Sequence, residues 1–150
     1  MNQEAKEIDQ LIKKLHCRDI PPNLKEQIIR EGNIAYVYMM EQINNPNLTD
    51  YQVGNMLSIL VTMRYTKDPS EVIDKVISFI QDERIKIRSF ASYVAIMLLT
   101  QAEACQTPSL NLSRELLKPL LQKAISMKLS ENVELLVQNF VNEKVSQSYD

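Results

Sequence analysis

The sequence predicts an all-α fold, and three observations carry that expectation. Only two glycines, Gly32 and Gly54, occur in 150 residues, whereas an all-β domain needs many tight turns for which glycine supplies positive φ cheaply. Apolar residues recur at steps of three, four and seven along most of the chain, the spacing of one helix face. The polar breaks between these stretches carry helix-start chemistry: Thr49 with Gln52, Asp68–Pro69 with Glu71, and Ser130.

Each stretch supports a helix on its own terms. Ile8, Leu11, Ile12 and Leu15 form a single stripe on an otherwise charged segment, which suits a terminal, one-sided helix. Pro21–Pro22 then forces an extended connection. From Leu24 to Ile43 a second stretch aligns Leu24, Ile28, Ala35, Met39 and Ile43; Gly32 in its interior leaves open whether it is continuous, kinked or split. After "NNPN" the third helix has Val53, Met56, Leu57 and Leu60 as its buried stripe, and Thr49–Gln52 forms its capping box. Asp68 caps the fourth, Pro69 suits its first turn and Glu71 completes the box, with Val72, Ile73, Val76, Ile77 and Ile80 facing inward.

The fifth stretch, "DERIKIRSFASYVAIMLL", is apolar on nearly every side after its charged start. Asp82 is its expected cap. Ile87, Ala91, Val94, Leu98 and Ala102 line one side and Phe90, Tyr93 and Met97 another, while Ser89, Ala91, Ser92 and Ala95 are small enough for a neighbour to approach closely. A helix with more than one apolar side is expected to lie between several others. Leu116, Leu117, Leu120, Leu121 and Ile125 mark a sixth helix that Pro119 either starts or bends. Ser130 caps a seventh, with Val133, Leu136, Val137 and Phe140 turned to the core.

These helices group as pairs, 23–44 with 49–64, 69–80 with 83–104, and 113–128 with 131–145, and the second members begin about 35 to 45 residues apart, a paired-helix rhythm. The middle pair, "VISFIQDERIKIRSFASYVAIML", resembles a HEAT repeat: an amphipathic first helix, a short turn with Asp82, then Ile87–Arg88 followed by small Ala91 and Ala95. The match is specific over about twenty residues and rhythmic over about 120. Where the arginine would recur, the preceding pair has Gly54 and the following pair Glu134. The resemblance implies a short right-handed α-solenoid of the HEAT or armadillo kind: about seven helices in three antiparallel pairs plus an N-terminal helix.

Length and charge bound the function. The chain is expected to form one domain, residues 1–150, with 45% apolar and 24% charged residues in the balance of a folded globular protein. Seventeen basic against nineteen acidic side chains leave a net charge of −2, so no global field draws it to nucleic acid or anionic lipid. The N-terminal "MNQEAKEIDQ" lacks the order of a secretory signal, no apolar run is long enough to cross a bilayer, and Cys17 and Cys105 have neither metal-type spacing nor a disulfide framework. A cytoplasmic protein is expected.

Catalytic chemistry is poorly represented. His16 is the only histidine and adjoins Cys17, but consecutive side chains on a helix point about 100° apart, a poor arrangement for proton transfer. The chain has too few soft ligands for a convincing zinc site, and neither a glycine-rich phosphate loop nor a serine elbow. No cofactor and no enzymatic activity are expected.

In solenoids of the HEAT kind the second helices line the concave face, so Arg64, Arg84, Lys86 and Arg88 are candidate anchors for an acidic partner or phosphate. Arg88 at the repeat position has a competing structural role, bonding to turn carboxylates such as Asp82. Tyr51 and Tyr65, at or near the second helices, are candidate interface residues because tyrosine buries much area at small entropic cost. The expected function is a non-catalytic protein-interaction module or adaptor whose partner is another protein or a second copy of itself. The alternatives are a small inhibitor of the immunity or antitoxin type, and phosphate or nucleic-acid binding through Arg84 and Arg88, which needs both side chains free of internal partners.

Overall fold

The computed structural model describes residues 3–63, 69–106 and 112–143. Among them are eight helices: α1 (Gln3–Lys13), α2 (Pro22–Arg30), α3 (Asn33–Gln42), α4 (Asp50–Met63), α5 (Pro69–Ser78), α6 (Ile85–Ala104), α7 (Arg114–Met127) and α8 (Glu131–Asn142). The all-α expectation holds, with one helix more than expected because the stretch from Leu24 to Ile43 is split. The break falls at Gly32, with φ 66° and ψ −134° at the N-cap of α3. A Cβ there would meet nothing within 4 Å. Backbone conformation, rather than space, therefore demands glycine. Pro119 lies inside α7 and does not start it; the helix begins at Arg114, where the Ser113 hydroxyl accepts the Leu116 amide at 3.1 Å.

Two compact units divide the chain, Met1–Val72 and Ile73–Asp150. In the first, α1 packs against α2, α3 and α4. Of its expected stripe, Ile8, Ile12 and Leu15 are between 0 and 3% exposed, while Leu11 is half-buried. Leu24 and Ile28 of α2, Ala35 and Met39 of α3, and Val53, Met56, Leu57 and Leu60 of α4 complete that core. The Thr49–Gln52 box is formed: the Thr49 amide donates to Gln52 Oε1 at 2.9 Å and the Gln52 amide to Thr49 Oγ1 at 3.2 Å.

Polar groups tie the first unit across its helices. Tyr36 is buried and its hydroxyl donates to Glu71 Oε2 at 2.6 Å, while the Tyr38 hydroxyl donates to Asp9 Oδ1 at 2.5 Å. Two tyrosines two residues apart on a helix thus reach opposite ways, one to α5 and one to α1. Asn55 of α4 donates to the carbonyls of Leu15 at 2.7 Å and Cys17 at 2.8 Å, tying α4 to the turn that follows α1. The expected cap at Asp68 lies outside the described residues.

In the second unit α6 packs against α7 and α8, which also pack against each other. Half of the twenty residues of α6 are buried, Ile87, Ala91, Val94, Ala95 and Leu98 among them. Its surround is incomplete, however: of the expected second apolar side Phe90 is half-buried, while Tyr93 is 41% and Met97 48% exposed, so that side is only partly covered. Two expected caps also differ. Asp82 precedes the N-cap, Arg84, and its Oδ1 takes the Arg84 amide at 2.9 Å, an Asx turn leading into the helix. Ser130 is the N-cap of α8, but its hydroxyl makes no capping bond; its amide donates to Ser89 Oγ at 2.8 Å, and its carbonyl accepts the Glu134 amide at 2.8 Å.

Candidate interaction surface

The basic cluster at the start of α6 is engaged internally. Arg88 is 4% exposed and spends its guanidinium on backbone carbonyls. Nη1 donates to Asp82 at 2.7 Å and Glu83 at 3.1 Å, Nε to Lys128 at 2.8 Å, and Nη2 to Met127 at 2.9 Å and again to Lys128. The expected partner was the Asp82 carboxylate. That carboxylate instead holds Arg84 in a fork, Nε to Oδ1 at 2.9 Å and Nη2 to Oδ2 at 3.0 Å. Burial alone pushes the Asp82 carboxyl up, but the Arg84 side chain and amide and the nearby Arg84 and Arg88 charges outweigh it and hold the group below its ordinary value. The phosphate reading required both guanidiniums free of internal partners, and neither is. Lys86 remains on the exposed side of the first turn of α6.

Arg88 does more than fill a site. The last carbonyls of α7 have no intrahelical donors, and the buried guanidinium supplies them while also closing the turn before α6. Lys128, the C-cap of α7, holds φ 81° and ψ 140°, a conformation rare outside glycine, with its carbonyl turned onto Arg88.

The other candidates fall apart spatially or chemically. Tyr51 is 38% exposed on α4 and its ring meets His16 edge-on, with centroids 6.2 Å apart. His16 Nδ1 lies 2.9 Å from Thr49 Oγ1, while Cys17 Sγ donates to the Lys14 carbonyl at 3.5 Å, so each of the neighbouring pair has its own backbone or hydroxyl partner. Arg64 and Tyr65 lie outside the described residues. Among the described residues, no group of three or more His, Cys, Asp or Glu side chains is placed to hold a metal ion, and no helix is long and apolar enough to cross a membrane.

What the sequence did not single out is a groove of about 560 Å³ between α6 and α8, lined by Ile96, Thr100, Leu136, Asn139, Phe140 and Glu143, with Asn142 beside them. Leu136 was expected in the core, but it is 38% exposed and its neighbour Leu135 is 63% exposed. Val137, Phe140 and Val141 take the buried side of α8, and a single helix face cannot bury all five. Met97 and Tyr93 stand on the same side of α6 as Thr100, one and two turns earlier, so their exposed surface leads into the groove. Arg114 closes one end: it forks onto Glu103 at 2.8 and 2.9 Å, reaches Glu143 at 3.1 Å and lies 4.8 Å over the Phe140 ring. The Glu103 hydrogen bonds, with some help from Glu143, push the Arg114 guanidinium still higher, against the opposing effect of burial. The available signal was the Asn139–Asn142 pair beside two leucines on one short helix.

Comparisons with family models, with curated proteins and with solved structures found no match to the chain.

Proposed function

We propose that this chain is a non-catalytic, cytoplasmic protein-binding module, built as a short solenoid of HEAT-like helical pairs, that offers its second helices to another protein. The observation that carries the reading is the solvent-facing apolar surface of the second unit, where Tyr93 and Met97 of α6 continue into the α6–α8 groove bordered by Leu136. Large apolar side chains grouped beside a groove and rimmed by amides are the composition of an interface core and its polar border. Anchors would be Met97, Tyr93 and Leu136 rather than the arginines, because Arg84 and Arg88 already have internal partners.

Affinity capture from the source cell, with the proteins recovered identified by mass spectrometry, tests the proposal. The Met97→Lys/Leu136→Lys double variant should lose a specific set of proteins that the wild type and an Ile34→Lys control on α3 both retain, with circular dichroism confirming that all three are folded. Identical sets from the folded double variant and the wild type, or a recovered fraction that nuclease removes, would overturn it.

A further inference from the structure

We infer that α8 is a hinged strap, fixed at its Ser130 end by buried side chains of α6 and latched at its Glu143 end by Arg114, whose release swings the Phe140 end away from α6 and widens the groove. The strap gives the surface described above a closed and an open form. Its motion is read without any partner, so it stands or fails apart from the protein-binding reading.

The two ends of α8 are held by different chemistry. At the first, the Ser130 amide donates to Ser89 Oγ at 2.8 Å, and Arg88 donates to the carbonyls of Met127 at 2.9 Å and Lys128 at 2.8 Å. Ser89 and Arg88 are both buried, so these bonds are shielded from water and salt and fix the turn between α7 and α8. At the other end Arg114 donates to Glu143 at 3.1 Å and lies 4.8 Å from the centre of the Phe140 ring, while its fork on Glu103 anchors it to the end of α6. The Glu143 side chain is 55% exposed. An ion pair so open to solvent shifts a balance by about two- to fivefold and is screened by salt. Glu143 is also the C-cap of α8, where the helix dipole is already negative, and among the described residues Arg114 is the cation set against it.

The packing is loose at the same end. Ser89 and Ser130 touch directly, whereas the α8 residues along the groove, Leu136, Asn139, Phe140 and Glu143, all belong to the second half of the helix, which stands off from Ile96 and Thr100. Val137, midway along, is fully buried and stays with the core in both forms. Opening leaves no polar group stranded, because Arg114 and Glu143 pass from each other to water. What holds the strap shut beside the latch is the apolar contact of Phe140 and Val141.

Pulsed electron paramagnetic resonance on the full chain tests this. Nitroxides on the exposed Cys105, at the end of α6, and on Asn142→Cys report the latched end, in a Cys17→Ser background. Labels on Ile85→Cys and Glu131→Cys, with both native cysteines replaced by serine, report the fixed end. For the latched pair a longer-distance population should rise about two- to fivefold in Glu143→Gln or when salt is raised from about 50 to about 500 mM. It should rise about five- to tenfold in Arg114→Met, which also loses the contact with the Phe140 ring, and fall back towards the wild type in Arg114→Lys. The fixed pair should keep one distance throughout, with helix content by circular dichroism unchanged. If Arg114→Met does not fold, Glu143→Gln and the salt series on the unaltered latch decide the matter. A latched-end distance indifferent to Arg114→Met, or to Glu143→Gln and salt together, or equal lengthening at both ends, would each overturn the hinge and latch.

Discussion

Arg88 shows how one side chain can join parts of a chain that are far apart in sequence. Its partners are the carbonyls of the turn before α6 and of the end of α7, some forty positions away. Truncating it strands buried carbonyl acceptors, so Arg88→Met is expected to destabilise the fold by about 3 to 5 kcal/mol, read from urea unfolding followed by circular dichroism. Lys128→Gly should be neutral or stabilise by up to about 1 kcal/mol in the same assay, because glycine adopts the Lys128 backbone conformation without strain. In the first unit, burial first and the Asp9 carboxylate second push the Tyr38 hydroxyl up to about 12. A phenol whose folded value is raised contributes stability that is complete below the unfolded value, near 10, and is lost as pH climbs through the folded one. Tyr38→Phe should therefore cost about 1 kcal/mol at neutral pH and remove part of the alkaline decline between those two values.

At the level of elements, the two glycines should respond in opposite directions. Gly32 stands at positive φ and caps α3 through its carbonyl, which accepts the Tyr36 amide at 3.0 Å. Gly32→Ala is expected to lower stability by about 1 to 2 kcal/mol, since an L side chain is strained there whatever the space around it. Gly54 lies inside α4, where an added methyl would meet nothing within 4 Å, so Gly54→Ala should raise stability by up to about 1 kcal/mol. Thermal melts of the two variants beside the wild type give both signs directly. The Thr49–Gln52 box and the stripes of α1, α2, α3 and α4 were legible because each depends on residues three or four apart. The split at Gly32 was not, because a mid-helix glycine is compatible with a straight, a kinked or a broken helix until the packing of α2 and α3 selects one.

For the whole molecule, both units hold a carboxylate below its ordinary value of 3.8: Asp9 through hydrogen bonds from Tyr38 and then Lys13, and Asp82 through Arg84 against the opposing effect of burial. A carboxylate depressed in the folded state contributes stability that is present above the unfolded value and lost as pH falls through the folded one. Stability should therefore be flat around neutrality and decline below about pH 4. Asp9→Asn should lower stability at neutral pH and make the acid decline shallower, as measured by denaturant midpoints across an acid series. An unchanged acid limb would remove Asp9 from the account.

The sequence by itself determined the helical class, most of the breaks and which stripes turn inward, because these follow from dihedral preferences and side-chain spacing within a few residues. It also pointed to Arg88 as special through its place in the repeat-like pair. Only the tertiary structure decided what Arg88 bonds to, where Tyr93, Met97 and Leu136 emerge, and that α6 and α8 leave a groove between them. Those outcomes depend on contacts between residues about forty positions apart, and on which of several apolar faces finds a neighbour, a competition that helical spacing alone does not resolve.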